Sequence, residues 1–270
     1  MKKILFLSLA FVLWNCSSDD NNAQPDSIIN NASYSPQQIG NYWTYNVLSD
    51  VVGKDSLYIS SSTVHEGEDL YNYTAQIPTY GYYSNLMNGS SIRSTETALF
   101  INGNMSLGDV FGNNVPMNID FNNFKFFDSN ATNGTILDNK NGYYEIPYQD
   151  NGILKVTYNL TTEAGENLAT YTQGGNTYSD VKQSKIRLNV KVVATIVVNV
   201  LGVPTSFDYT LLNSQDVLIS IQYYAKGIGM VFANTDFQYS IDELPAGFNL
   251  PIPQNYSSNT KESLASYKVE

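Results

Sequence analysis

Ile186, Leu188, Val190, Val192, Ala194, Ile196, Val198 and Val200 are apolar at strict period two, separated by Arg187, Asn189, Lys191, Val193, Thr195, Val197 and Asn199. Successive side chains point to opposite faces only in an extended chain, so the segment predicts a β-strand with one buried face. At about 3.3 Å per residue it would run roughly 50 Å, well beyond the common strand length of about three to ten residues. Such a strand must bend, carry a bulge, or serve two neighbours along its length. Its second face changes halfway from Arg/Asn/Lys to Val/Thr/Val, which predicts a second half covered on both sides.

The neighbouring sequence extends the pattern. Leu201-Gly202-Val203-Pro204 turns the chain. Phe207, Tyr209 and Leu211 return on one face, Val217, Ile219, Ile221 and Tyr223 run out again, and Ile228, Met230 and Phe232 follow the break at Gly227. Strands adjacent in sequence usually pair, so residues 186–236 read as an antiparallel meander, and sheet twist curls such a meander into a barrel or half-barrel. Earlier strands are read around Trp43, Tyr45 and Val47, around Leu57 and Ile59, through Leu70–Thr74, and around Val156, Tyr158 and Leu160 after the Asn151-Gly152 turn. No stretch shows a helical period. The end of the chain reads either as one or two helical turns capped by Thr260 or, preferred, as a strand with Ala265, Tyr267 and Val269 on one face that pairs with the Trp43 strand and removes two open edges. The class is all-β.

Composition agrees. Tyrosine supplies 21 of 270 residues, and tyrosine with Thr, Val and Ile favours pleated surfaces, while Asn and Gly favour the turns between them. Residues 81–142 are dense in Asn and Gly and read as a loop-rich insertion with short hairpins, the kind of segment on which binding surfaces often lie. The formal charge is −11 with no clustered Lys/Arg face, which argues against nucleic acid as a partner. A single cysteine, Cys16, rules out a disulfide within the chain.

The first twenty residues, MKKILFLSLAFVLWNCSSDD, carry two lysines, an apolar run too short to span a bilayer as a helix, and then that cysteine. Lys2-Lys3, the run and Cys16-Ser17-Ser18-Asp19-Asp20 resemble the leader of Bacteroidetes-type surface lipoproteins. The resemblance implies acylation of Cys16, export to the outer face of the outer membrane directed by Ser17, Ser18, Asp19 and Asp20, and anchoring through the lipid. Trp14-Asn15 is bulkier than the usual pair before the cysteine. Ile39-Gly40-Asn41-Tyr42-Trp43-Thr44-Tyr45 and Tyr223-Tyr224-Ala225-Lys226-Gly227-Ile228-Gly229-Met230-Val231 resemble a G-N-x-W-x-Y entry strand and a Y-x-A-x-G-x-G-x-V segment of uncharacterised lipoproteins of that group. Asp26-Ser27-Ile28 resembles a site that these bacteria O-glycosylate on the hydroxyl residue, here Ser27. The expected organisation is a signal peptide over 1–15, a polar tether over 16–33, and one β domain over 34–270. Each buried methylene of an acyl chain adds about 0.8 kcal/mol, so two or three chains on Cys16 would hold the protein permanently.

Catalytic signals are weak. His65 is the one histidine and sits in Val64-His65-Glu66-Gly67-Glu68-Asp69, which reads as a hairpin turn, with no nucleophile elbow elsewhere. One histidine and a cysteine committed to lipid leave no zinc set. Asp128–Gly134 and Asp138–Gly142 are rich in oxygen ligands but lack calcium-loop spacing, and read as turns. Glu145, Glu163 and Glu166 carry no distinguishing context as acid–base pairs. Neither a metal nor a cofactor is expected. Tyr80, Tyr82, Tyr83, Tyr143 and Tyr144 are the candidate ligand-contacting aromatics. The expected role is non-enzymatic binding of an apolar small molecule or a glycan at the cell surface. The alternatives are a structural or adhesive subunit with a filled core, and a hydrolase acting on glycans.

Overall fold

In a computed structural model of the chain, the structure describes residues 33–106, 118–148, 152–241 and 253–270. Cys16, Ser17, Ser18, Asp19, Asp20 and Ser27 lie outside the described residues. The elements are β1 (Tyr42–Leu48), β2 (Val52–His65), β3 (Glu68–Ala75), α1 (Tyr82–Met87), β4 (Ser91–Ser94), β5 (Ala98–Ser106), β6 (Asn118–Asp128), β7 (Ile136–Tyr148), β8 (Gly152–Gln173), β9 (Asn176–Val200), β10 (Val203–Ala225), β11 (Gly229–Ser240) and β12 (Asn255–Lys268). Within 81–142 the chain therefore contributes α1, β4, β5, β6 and the first part of β7 to the fold, with Asn- and Gly-rich connections between them.

The strands form one 12-stranded antiparallel sheet in the order β6-β5-β4-β3-β2-β1-β12-β11-β10-β9-β8-β7. Two meanders, β1–β6 and β7–β12, are joined where the first and last strands meet, with Trp43 opposite Tyr267 as the sequence predicts. A register shift at Thr44/Tyr45 then decides which residues of β12 face inward. Glu262 and Leu264 do, whereas Ala265 and Tyr267 are exposed. The β1–β12 pair removes two edges but not the last two, which belong to β6 and β7.

Those remaining edges are handled without a ladder. The β6 backbone crosses the inner faces of β8 and β9, and inward side chains take up its polar groups. Lys125 N donates to Asp138 Oδ2 of β7 at 3.0 Å, and Thr162 Oγ1 of β8 donates to Lys125 O at 2.6 Å. Ser184 Oγ of β9 donates to Phe126 O, and Tyr144 OH of β7 to Asn118 O. The sheet thus overlaps itself like a scroll and makes a nearly closed barrel. Thr162 and Ser184 are buried, so a lost partner there would leave a carbonyl without water to replace it.

The inside is filled. Trp43, Tyr45, Leu57, Ile59, Phe127, Leu160, Leu188 and Tyr224 are buried in one continuous cluster, and α1 lies within it. Phe127 packs on Tyr224 with ring centroids 4.7 Å apart, and Tyr83 of α1 meets Tyr45 and Tyr224 edge-on at 6.1 and 6.4 Å. The strands on the Trp43, Leu57 and Val156 patterns bury the faces expected of them.

Two strand readings are corrected. In β9 the covered half is the first: Ile186, Leu188, Val190 and Ala194 are buried, while Val197 and Val200 are exposed. The reason is that β8 pairs with β9 only as far as Ile153 opposite Thr195, so among the described residues those beyond it have no strand on that side. In β10 the inward row is Leu218, Ser220, Gln222 and Tyr224, not Ile219, Ile221 and Tyr223. Register shifts between Thr210 and Leu218 change the facing of everything that follows. The apolar outward residues are instead covered by the end of the β8–β9 hairpin. Tyr171 stacks on Tyr223 at 4.3 Å and Gln173 reaches Ser263 of β12.

Thr162→Val, which keeps the shape and removes the donor, should lower stability by about 1–3 kcal/mol in urea unfolding, whereas Thr162→Ser should lose less. Equal losses for both would mean that the methyl, not the hydroxyl, holds β6 in place.

Candidate functional site

α1 has no local reason to form. It is six residues long, its N-cap position is Gly81, and no side chain of its own caps it. Its first turn is held instead by two carboxylates from the barrel wall. Asp55 of β2 accepts hydrogen bonds from Tyr80 N (2.9 Å) and Gly81 N (2.7 Å). Glu262 of β12 accepts from Tyr83 N (2.7 Å), Ser84 N (2.9 Å) and Ser84 Oγ (2.8 Å). Both carboxylates are completely buried. They flank β1, where Asp55 lies opposite Tyr45 and Glu262 opposite Val47, so both point inward from the two neighbours of β1. A Cβ on residue 81 would stand 2.1 Å from the Glu262 carboxyl carbon, so only glycine lets the backbone sit this close.

Carboxylates suit this place because the unpaired N–H groups of a helix start favour negative charge. Burial pushes the Glu262 carboxyl up to about 7, the hydrogen bonds from Ser84 and Tyr83 hold it down, and the Asp55 carboxylate adds to the rise. Their oxygens are occupied by α1, so this pair is a clamp for the plug and not an acid–base pair facing a substrate.

Above the plug the barrel has a mouth. A cleft of about 290 Å³ lies between α1 and the inward rows of β10, β11 and β12. Its walls include Tyr80, Tyr82, Asn85, Phe237, Tyr256 and Thr260. Tyr80 and Tyr256 are 41% and 37% exposed and offer ring surface to the opening. Tyr256 stacks on Tyr239 at 5.8 Å and meets Phe237 edge-on at 5.7 Å, which fixes its ring. The Tyr80 ring lies over Gly53, where a Cβ would come within 2.5 Å of it. Hydroxyls of Thr79, Ser258 and Thr260 and the amide of Asn85 also line the cleft, and among the described residues no charged side chain does.

The five tyrosines singled out from the sequence do not converge. Tyr80 is at the mouth, Tyr82 lies beneath it with its OH on Met105 Sδ, and Tyr83 is in the core. Tyr143 is exposed on the outside of β7 under the Lys155 ammonium, and Tyr144 points inward at the β6 seam, stacked on Tyr158. Sequence reading missed Tyr256, Asp55 and Glu262. The last two had a visible signal: Asp55 shares parity with the inward Leu57 and Ile59, and Glu262 with Leu264.

His65 and Glu66 lie exposed at the β2–β3 turn. Asp138–Gly142, read as a turn, is part of β7, and the Asp138 carboxylate receives the N–H groups of Lys125 and Asn139. Glu163 is paired with Arg187 at 2.6 Å and Lys185 at 3.4 Å.

No protein-family model matches the chain, and no curated protein does. Among solved structures it is similar to the crystal structure of a candidate lipoprotein from Parabacteroides distasonis, at 9% identity and a TM-score of 0.38, over 87% of this chain and 98% of that one.

The clamp has a pH signature. Because the folded state holds the Glu262 proton up to about 7, against 4.5 ordinarily, the contribution of this group is fully present below about 4.5 and is lost as pH rises through 7. The loss is on the order of 3 kcal/mol. Glu262→Gln, neutral throughout, should flatten the dependence of the urea midpoint on pH between about 4 and 8 while lowering stability overall. An unchanged slope would assign it to other groups.

Proposed function

We propose that this protein is anchored to the outer cell surface by acylated Cys16 and binds a neutral carbohydrate at the mouth of its barrel. The observation that carries the reading is the uncharged cleft above α1, with the exposed rings of Tyr80 and Tyr256 set among hydroxyl and amide groups. Sugar rings present a weakly apolar C–H face and a rim of hydroxyls, so they suit an aromatic face beside uncharged hydrogen-bonding groups. The mouths of β-barrels are also common ligand sites, and this cleft is at the small end of the usual range of roughly 300–1,000 Å³. That size suits one or two sugar units rather than a long chain.

Placement supports it. The described chain begins at the opposite end of the barrel, where Ser33 O accepts from Gly227 N at 2.7 Å in the β10–β11 turn and Tyr34 OH bonds to Asp180 at 2.6 Å. The mouth is at the other end of β11, beside Phe237, roughly 25 Å along the strand. The cleft thus lies at the end of the barrel away from Ser33, which agrees with a site that faces outward on a lipid-anchored molecule. The apolar-ligand alternative asks for a chamber where Tyr45, Phe127, Tyr224 and α1 already pack.

Tyr80→Ala and Tyr256→Ala should each weaken binding of neutral oligosaccharides about five- to tenfold, read by calorimetry on the detergent-solubilised full chain. Absence of binding by the unaltered protein across a panel of neutral sugars would refute the carbohydrate reading. The anchor is tested separately: Cys16→Ala should move the protein from the membrane fraction to the soluble fraction, and mass spectrometry should find acyl chains on Cys16 of the native form.

A further inference from the structure

α1 is fastened to the barrel differently at its two ends. The C-terminal end is sewn to β3 through backbone: Gly89 N donates to Tyr73 O and Tyr73 N to Ser90 O, both at 2.9 Å. Asn88 Oδ1 accepts the N–H of Ala75 at 2.9 Å, and Ser90 Oγ donates to Leu86 O at 2.8 Å. None of these groups changes charge near neutral pH. The N-terminal end hangs on carboxylates instead, with Tyr80 N and Gly81 N on Asp55, and Tyr83 N, Ser84 N and Ser84 Oγ on Glu262. Tyr80, Gly81 and Tyr82, which belong to this end, also wall the cleft.

Glu262 has no cation to meet a charge. Facing it are the Asp55 carboxylate from β2 and the hydroxyls of Tyr45 from β1, Tyr82 and Tyr83 from α1 and Tyr224 from β10, with Tyr73 of β3 and Tyr178 of β9 against Tyr45. Burial holds those of Tyr45, Tyr82, Tyr83 and Tyr224 in the neutral form. Lys54 and Lys261 adjoin the two carboxylates in sequence, but alternation sends both to the outer face, where they are exposed. Among the described residues no ion pair reaches Glu262 or Asp55. Ionising one fully buried carboxyl beside another is costly, and hydrogen bonds from the helix start offset only part of that cost.

We propose that Glu262 is a latch on the plug: as the neutral acid it holds the start of α1 against the barrel wall, and its ionisation favours release of that end, which pivots about the Asn88–Ser90 attachment while the barrel stays closed. Release lets water reach both carboxylates, and their hydration is what drives it. The helix start has little of its own to resist with, since α1 is six residues long and no side chain of its own caps it. With that end released, the cleft loses the wall made by Tyr80 and Tyr82.

The direction follows from where each form holds its proton. Closed, Glu262 keeps it up to about 7; solvated, it keeps it only to about 4.5. The closed form is therefore favoured in full below about 4.5, and the advantage is lost as pH rises through 7. Between those values the ratio of released to closed helix grows about tenfold per pH unit, roughly 300-fold in all. A ligand that needs the α1 wall opposes release. That coupling rests on the carbohydrate reading of the mouth, whereas the latch itself does not.

The test is hydrogen exchange read by mass spectrometry on the detergent-solubilised full chain, with rates corrected for the intrinsic effect of pH. Protection of the peptide over residues 79–88 should fall roughly 70-fold between pH 5 and 8, and should lie at least about tenfold below that of residues 186–190 of β9 throughout. Glu262→Gln should hold protection level with pH. Ser84→Ala keeps the carboxyl but removes a hydrogen bond that favours its ionised form, so it should carry the fall to higher pH. Protection that does not change with pH in the unaltered chain overturns the latch. So does the same fall in Glu262→Gln, a Ser84→Ala midpoint that stays or moves down, or protection equal to that of β9, which would mean that α1 opens only with the whole barrel. A saturating neutral oligosaccharide should raise protection of the 79–88 peptide, and binding without that rise overturns the coupling. Absence of binding by every neutral sugar refutes the carbohydrate reading and leaves the latch to the exchange results alone.

Discussion

Closing a sheet without a final ladder is the constraint on which this fold rests. An open strand must find partners for a row of N–H and C=O groups, and β6 finds them in side chains that reach across from Asp138, Thr162, Ser184 and Tyr144. Three of these four belong to inward rows that would otherwise be apolar. The cost is polar atoms placed in the core at Thr162 and Ser184, and it is offset because each is spent on a backbone carbonyl that has little water to replace it. Overlap also shortens the circumference of the barrel. That leaves room inside for aromatic rings and one helical turn, and for little else.

The same solution recurs at α1. Six residues with no cap and no helical period do not make a helix in water, because the first turn fixes several dihedrals for one hydrogen bond. Here the missing partners come from Asp55 and Glu262, on strands that the β1–β12 junction places on either side of β1. The plug therefore forms as a consequence of barrel closure rather than before it. Because the plug forms the floor of the mouth, the shape of the cleft depends on two carboxylates that do not line it.

The sequence made legible what depends on period two. Trp43/Tyr45/Val47, Leu57/Ile59 and Val156/Tyr158/Leu160 bury as their alternation requires, and the pairing of the terminal strand with the Trp43 strand was readable from its pattern. Parity failed where a bulge intervened. One extra residue near Thr44 and several between Thr210 and Leu218 exchanged inside for outside in β12 and β10, and no propensity marks a bulge in a run of Ser, Asn, Asp and Leu. Coverage of the second face of β9 was misread for a different reason. A Val/Thr/Val face says that water is disfavoured there, not that a neighbour is present, and β8 ends too early to supply one. The mouth was only half visible. Tyr80 stood out among its tyrosines, but Tyr256 joins it across 176 residues of sequence from the first part of β12, ahead of the Ala265/Tyr267/Val269 alternation that marked that strand.

The two ends of the barrel differ in chemistry, and the difference bears on what the molecule can meet. At the end where the described chain begins, the turns carry Glu66 and Glu68, Lys226, and Lys268 with Glu270, and strong hydration keeps that rim in water. At the other end the described rim exposes Leu48, Val51, Val52, Ile153, Val200, Leu201 and Val203, with Asp50 among them, while the first end also exposes Ile39 and Val64. Dehydrating the charged rim would strip water from ions that have only surface partners, which docking seldom repays. Dehydrating the second rim releases water from apolar groups and is favourable by about 25 cal/mol per Å² covered. A single molecule in solution leaves that gain unrealised. The filled barrel lies between these two rims, and the β9–β10 hairpin extends past the cleft beside Phe237 at the second.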